Sequence, residues 1–505
     1  MTRSEFDRKY TSQLNPQQLA AVHAVDGAVL LLAVPGSGKT TVLVTRLGYM
    51  LCCCGISPDA ILTMTYTKAA TKEMQKRFVR LFGQDCPQIP EIRTINGVSS
   101  KIIDFYTRTH GSGSAFTVVE NEGELAKIVS DLYRELSGEF ATQSVIKELR
   151  KGIAYVKNMM LGKEDLGELD TGFDQFPELY VQYNLALRQR RWMDYDDQMI
   201  YAKTILENYP DILAHFQDAF PYICVDEAQD TSKIQHAIIQ LLARKTGNLF
   251  MVGDEDQSIY GFRAAYPDAL MQFEQTYPKA RVLLMEENYR STPEILAASN
   301  ALIRKNRERL DKQLRAVRPE SRKPLYFHAK TAADEAAWIV RKIRFLAAQG
   351  TELSRIGVLY RAHYVSRAVE EALIREKVPY VLYSGVEFYK RKEIKDILCY
   401  LRMIYSGDDI SFLRTVNEPR RGVGRTRIAF LKEYAAARNT SLYTALLENV
   451  ESPLFRQSRA KEYVRLIERY RAIYAQMDLT DLVAEVLNQS GYEAMLRLCG
   501  EEDRL

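Results

Sequence analysis

The sequence has no apolar run long enough to cross a bilayer; the longest near its start, AVLLLAV (28–34), falls far short of the ~20 residues a spanning helix requires. Its opening, MTRSEFDRKY, is polar and lacks the apolar centre of a secretion signal. Cysteine and histidine are scarce and badly spaced for metal. Cys52, Cys53 and Cys54 are adjacent, whereas Cys86, Cys224, Cys399 and Cys499 are scattered, which excludes zinc and iron–sulfur patterns and any paired framework. Reduced thiols in a cytoplasmic protein without membrane partners are the expectation. A charge excess is also missing: 69 Lys and Arg face 65 Asp and Glu, a net +4, so any nucleic-acid path must be a local stripe. Repeats and low-complexity tracts are absent too, which removes solenoids and linker-dominated architectures.

What is there is globular composition over 505 residues, 46% hydrophobic and 27% charged, too long for one core. Apolar runs of buried-strand length occur at 28–34, 60–66, 222–227, 249–254, 281–286 and 355–361, each followed by a longer helical pattern. Strands alternating with helices predict an α/β fold with parallel sheets, whose ligands bind beyond the carboxyl ends of the strands. From about 108 to 190 the pattern becomes amphipathic helix, as in ENEGELAKIVSDLYREL (120–136), and a second helical region follows about 389. A second lobe begun near 291 shows too few strands to bury both faces of a sheet.

AVPGSGKT (33–40) sits between a strand and a helix, the context that makes it a phosphate-binding loop. Gly36 and Gly38 let the backbone curl so that N–H groups, Ser37 among them, face a phosphate. Lys39 reaches the β/γ oxygens and the Thr40 hydroxyl ligates Mg²⁺. Ala33 replaces the first glycine of the general pattern, as a strand end permits. ICVDEAQD (223–230) ends a strand in paired acids: Asp226 is expected to hold Mg²⁺ through water, and Glu227 to orient and deprotonate the attacking water. Together the two motifs predict an ATPase using ATP and Mg²⁺.

At this point the chain resembles the UvrD/PcrA/Rep-type superfamily 1A helicases, collinearly and over nearly its whole length. LNPQQLAAV (14–22) resembles the Q motif, TYTKAATKEM (65–74) motif Ia, RTINGVSS (93–100) motif Ib, VDEAQDTSKIQ (225–235) motif II, VGDEDQSIYGFRAA (252–265) motif III and EENYRSTPEIL (286–296) motif IV. MDYDDQM (193–199), GVLYRAHYVSRAVEEAL (357–373), GVEFYKRKEIKDILCYLR (385–402) and FLRTVNEPRRGVG (412–424) also look like segments of these relatives. The resemblance implies RecA-like P-loop NTPase lobes with helical insertions. The first lobe would occupy 1–107 and 191–290, with an insertion at 108–190. A second lobe at 291–388 and an accessory domain at 389–505 would both be incomplete, since nothing resembles motifs V and VI and the chain reads as an N-terminal portion.

By position, the resemblance implies that Gln18 reads adenine, Tyr289 stacks on it opposite Thr41 (an arginine in relatives), Gln257 contacts the γ-phosphate and Arg290 stabilises transition-state charge. For single-stranded DNA it implies Tyr66, Asn96, Tyr260 and Phe262, with Arg361, and it gives Arg421, Gly422 and Gly424 a grip on duplex phosphates at single–double-strand junctions. Relatives imply 3′→5′ unwinding in repair, recombination or replication restart, mediator proteins as partners and a bacterial, nucleoid-associated location. On this reading a truncated chain binds ATP and DNA with little turnover. Two alternatives stay open: the motor part of a RecB/AddA-like helicase–nuclease, and a truncated non-catalytic DNA-binding module.

Overall fold

A computed structural model of the chain describes residues 1–111, 116–307, 309–310, 312–383 and 391–498. The boundary expected at 388–389 and the closing segment CGEEDRL, with Cys499, lie outside the described residues. The chain divides into two compact units, one of Met1–Ala141 with Val145–Leu325, the other of Thr142–Ser144 with Tyr326–Leu505.

The first unit is built on a six-stranded, wholly parallel sheet: β1 (Val29–Ala33), β2 (Ile61–Thr65), β3 (Glu91–Thr94), β4 (Tyr222–Val225), β5 (Leu249–Gly253) and β6 (Arg281–Met285), in the order β3-β2-β4-β5-β1-β6. In register, Leu31 lies opposite Val252 and Leu283, and Cys224 opposite Phe250. β1, β2 and β5 are buried along their whole length. Strand residues alternate between faces, so each strand feeds two cores. Leu30, Leu32, Leu62, Met64, Val225 and Met251 pack with the helices Ile95–Thr109, Tyr195–Asn208 and Lys233–Ala243. Leu31, Ala33, Ile61, Phe250 and Val252 face the other way, onto Lys39–Cys52 and Lys68–Phe82. Truncating one of these leucines to alanine costs about 2–5 kcal/mol. On the second face Gly48 leaves room for the ring of Phe82, into which any Cβ would project.

Between β3 and β4 the chain forms a separate helical body, Glu122–Ser137, Gln143–Met159 and Phe176–Arg190, with its own core of Leu125, Val129, Leu149, Ile153, Phe176 and Leu179. Its entry and exit touch: Thr117–Val118 pairs in parallel with Trp192–Met193. Beside this neck the ammonium of Lys157, 2% exposed, sits 2.6 Å from Asp194 and 2.7 Å from Asp197. Asp194 also caps the helix Tyr195–Asn208.

In the second unit Ala332–Ala348 packs on Ser366–Arg375 through Ala336, Val340, Ala372 and Leu373. A larger helical core gathers Tyr400, Met403, Phe412, Leu446, Tyr463 and Val486. The strand expected at 355–361 does not form. Leu359 is 98% exposed and no neighbouring strand pairs with this stretch among the described residues, so its backbone has no ladder to join. The expectation of reduced thiols throughout also needs correction. Cys52, at a helix end, and Cys86, after the following helix, are brought together and joined as a disulfide, while Cys53, Cys54, Cys224 and Cys399 are free. Among the described residues no helix is long and apolar enough to cross a membrane.

Candidate nucleotide and nucleic-acid sites

The phosphate loop leaves β1 at Ala33, which is fully buried and paired with Met285. Gly36 and Gly38 take φ of +70° and +88°, conformations that glycine enters without penalty. Gly38 precedes the helix Lys39–Cys52, which has no side-chain cap, and the N–H groups of Lys39, Thr40 and Thr41 meet no acceptor among the described residues. This is a helix terminus with donors to spare for an anion. Ser37 is buried and donates to Val34 O at 2.7 Å.

Lys39 Nζ lies 3.1 Å from Glu227 Oε2, which joins the mouths of β1 and β4, and Gln229 donates to the same carboxylate at 2.8 Å. Glu227 has φ +49°, a turn that takes the chain sharply off the strand. Asp226 is 6% exposed, and its carboxylate accepts only the N–H of Glu227 among the described residues. Burial, then the adjacent Glu227 charge, push it up to about 6 against the pull of Lys39. The Thr40 hydroxyl likewise has no hydrogen-bond partner among the described residues. An under-bonded buried carboxylate and an idle hydroxyl are hard oxygen donors that suit Mg²⁺.

Gln18 lies against the phosphate loop. Its amide is committed at both ends, accepting from Asn15 N at 2.9 Å and donating to Ser37 O at 2.8 Å, so it braces the loop. Thr41 has the guanidinium of Arg77 3.5 Å from its hydroxyl, a neighbour from the helix Lys68–Phe82 that sequence reading missed. Tyr289 is partly exposed and hydrogen-bonded to Glu287 and Asn15. Tyr289 N donates to Gly36 O at 3.0 Å, and an added Cβ on Gly36 would lie 2.6 Å from Arg290 Cβ, so the 288–290 segment is docked on the loop. The Arg290 side chain is exposed there. Gln257 donates to Asp254 at 2.6 Å.

A second surface lies on the same unit. Tyr66 and Tyr260 stack at 6.2 Å between centroids, Phe262 follows at 5.9 Å, and Arg263 lies over both Tyr260 and Phe262. Phe262 is 62% exposed. A cavity of about 410 Å³ opens beside them, lined by Tyr66, Asn96, Tyr155, Asn158, Asp196 and Phe262 among others. Asn96 donates to Tyr195 O at 3.0 Å. Burial first, then the Asp194 charge, push Asp196 up to about 6.

Both of the family's domain models match, the UvrD/REP helicase N-terminal domain over residues 14–278 and the UvrD-like helicase C-terminal domain over 283–477. The chain belongs to the UvrD/REP helicase family. It is 33% identical over 496 residues to the ATP-dependent DNA helicase PcrA of Leuconostoc citreum, and 35% over 491 to that of Staphylococcus epidermidis, covering 96% of this chain and 66% of each relative. The PcrA of Staphylococcus aureus matches at 34% over 492 residues, with 67% of its length covered. The chain thus spans about two thirds of the length of these relatives. Reading it as an N-terminal portion is not upheld, because the model for the family's C-terminal domain matches as well.

Within this family member the predicted residues of the second unit divide. Arg361 is exposed in a groove with Val358 and Tyr360. Arg421 is 4% exposed and does not face solvent. Its guanidinium donates to Thr415 O at 3.0 Å, Tyr400 Oη at 2.8 Å and Ser490 O at 2.9 Å, so it pins the helical core. The RRGVG turn instead presents Arg420, Gly422 (φ +76°), Gly424 and Arg425 outward.

Proposed function

We propose that the chain hydrolyses ATP with Mg²⁺ and uses the energy to move 3′→5′ along single-stranded DNA and to part duplexes at single–double-strand junctions. The observation that carries this reading is the Lys39–Glu227 ion pair at 3.1 Å, with Asp226 buried beside it at the mouth of a parallel sheet. In-line phosphoryl transfer needs charge neutralisation and a positioned water more than covalent help. Lys39 and the free N–H groups of the loop hold the phosphates, Glu227 orients and deprotonates the water once Lys39 turns to phosphate, and Arg290 stabilises the transition-state charge on the transferring γ-phosphoryl group. Asp226 and Thr40 hold Mg²⁺, which neutralises phosphate charge. Gln257 reads the γ-phosphate, and Tyr289 supports the adenine together with Thr41 and, by its placement, Arg77.

For DNA, the row Tyr66, Tyr260 and Phe262 offers base-stacking faces worth about 1–3 kcal/mol each without regard to sequence. Asn96 closes that row, and Arg361, Gly422 and Gly424 serve the second unit, with Arg420 and Arg425 replacing Arg421 as phosphate contacts. Work in repair or replication restart on the bacterial chromosome, with mediator proteins recruiting the chain, completes the proposal.

The test is steady-state ATP hydrolysis with and without single-stranded DNA, beside Lys39→Ala and Glu227→Gln. Stimulation by DNA that both substitutions abolish is the expected result. Turnover indifferent to DNA, or surviving Lys39→Ala, overturns the reading. Strand displacement from a 3′-tailed but not a 5′-tailed duplex tests the direction.

A further inference from the structure

A buried ammonium lies next to the nucleotide site, in a cluster that the catalytic reading leaves unused. Lys312 is 4% exposed, with Nζ 2.6 Å from Asp254, 2.5 Å from Glu255 and 3.3 Å from Asp256. Arg309 grips Asp256 with two nitrogens, at 3.1 and 2.7 Å. The three carboxylates are close enough together to hold a metal ion, but the chain's own ammonium sits among them. Burial alone would lower the Lys312 pKa; Asp254 and Glu255 outweigh it and hold the ammonium above the usual lysine range. Burying an ion at this cost is sustained only by excellent pairing, so the geometry is tightly specified.

Both ends of this contact lead to groups assigned to the γ-phosphate. Asp254 is ion-paired with Lys312 through Oδ1 and accepts from Gln257 on Oδ2, at 2.6 Å each. On the other side Gln313 N donates to Glu286 at 3.2 Å, Arg315 is paired with Glu286, and Arg315–Ala316 forms a parallel ladder with Glu287–Asn288. Asn288 Oδ1 then accepts the N–H groups of Arg290 at 2.9 Å and Ser291 at 2.7 Å. A continuous series of ion pairs and hydrogen bonds therefore runs from the Gln257 amide through Asp254, Lys312 and the strap to the backbone of Arg290.

We infer that Arg309, Lys312, Gln313 and Arg315 form a strap that fixes Gln257 and Arg290 relative to each other, with Lys312 as a positioning residue for recognition of the γ-phosphate. The inference rests on the nucleotide site proposed above. Lys312 does not touch the nucleotide; it sets the spacing of two groups that do. Its loss should erase discrimination between nucleoside tri- and diphosphates while leaving the diphosphate cradle intact.

The experiment is equilibrium binding, by the intact chain with Mg²⁺, of a fluorescent ADP and of the matching non-hydrolysable ATP analogue. The wild-type chain, Lys312→Met, Lys312→Arg and Arg309→Gln are compared. We expect Lys312→Met to lower the triphosphate-to-diphosphate affinity ratio by about 5-fold or more, with ADP affinity held within about 2-fold. Lys312→Arg should restore most of the ratio, since it returns the cation. Arg309→Gln leaves Lys312 and its partners in place and should lower the ratio less. If Lys312→Met fails to fold, an unchanged ratio in Arg309→Gln overturns the inference. So does equal weakening of both nucleotides by Lys312→Met, which marks a merely structural lysine. A wild-type chain that binds neither nucleotide overturns the nucleotide site itself, and the strap with it. One that binds both equally removes γ-phosphate recognition alone.

Discussion

Replacing Gly36 by alanine probes the docking of the phosphate loop on the Arg290 segment. At φ +70° an alanine bears a left-handed penalty of about 1–2 kcal/mol. Its Cβ would lie 2.6 Å from Arg290 Cβ and 3.0 Å from Asn288 Nδ2, about 1 Å inside ordinary carbon contact. The two neighbours are tied to each other, since Asn288 Oδ1 accepts the N–H groups of Arg290 and Ser291, and the segment is tied to the loop by the Tyr289 N–H bond to Gly36 O. Relief must come from a shift of the loop or of Arg290, at about 1–3 kcal/mol for overpacking. The combined cost is about 2–5 kcal/mol of stability in the first unit. In the role proposed for Arg290, a displacement near 1 Å costs about a hundred-fold in turnover. The control is Gly55→Ala, with φ +65° but open space around the added Cβ, so it carries the backbone penalty alone. DNA-stimulated ATP hydrolysis and urea unfolding should both be hit much harder by Gly36→Ala. If the two variants behave alike, the docking argument is refuted.

Phe262→Ala should weaken single-stranded DNA binding by about 1–3 kcal/mol irrespective of sequence, measured by fluorescence anisotropy, because it removes an exposed stacking face. Arg421→Ala should lower the stability of the helical core by about 3 kcal/mol or more by removing three buried charge-assisted hydrogen bonds, yet leave the salt dependence of DNA binding untouched. Arg420→Ala should do the reverse, lowering the salt slope by about 0.9. With a folded pKa of about 6 against 3.8 unfolded, Asp226 binds its proton more tightly in the folded chain, so its contribution to stability is present below pH 3.8 and lost as pH rises through 6. Mg²⁺ competes with that proton. Its affinity should fall from pH 7 to pH 5 and its binding near pH 6 should release a proton, as calorimetry in buffers of different ionisation enthalpy would register, and Asp226→Asn should abolish the release.

The central sheet was legible because buried parallel strands are continuous apolar runs: five of the runs became β1, β2, β4, β5 and β6. β3 escaped because EIRT is a short edge strand with mixed burial, too brief for a periodic signal. The run at 355–361 misled for the opposite reason: apolar composition proposes a strand, but only a partner backbone makes one. The phosphate loop and the acids of 226–227 were readable because their chemistry depends on local spacing after a strand. Gln18, Arg421 and Lys312 were not, since their roles are fixed by groups far away in sequence, Ser37, Ser490 and the 254–256 acids respectively. An arginine in a glycine-rich turn reads as a phosphate contact until packing shows which of two neighbours, Arg420 or Arg421, points inward.

The neck at Thr117–Val118 and Trp192–Met193 sets a rule for how this fold can diversify. Its two crossings lie side by side, so the body between them can lengthen, shrink or be exchanged with little strain on the lobe that hosts it. But the crossings run parallel, and a tight turn can join only antiparallel neighbours; parallel ones need a crossover of a dozen or so residues. A lineage that trimmed the insertion could therefore reduce it to a single returning helix, but could not close the opening with a hairpin unless it also rebuilt the neck.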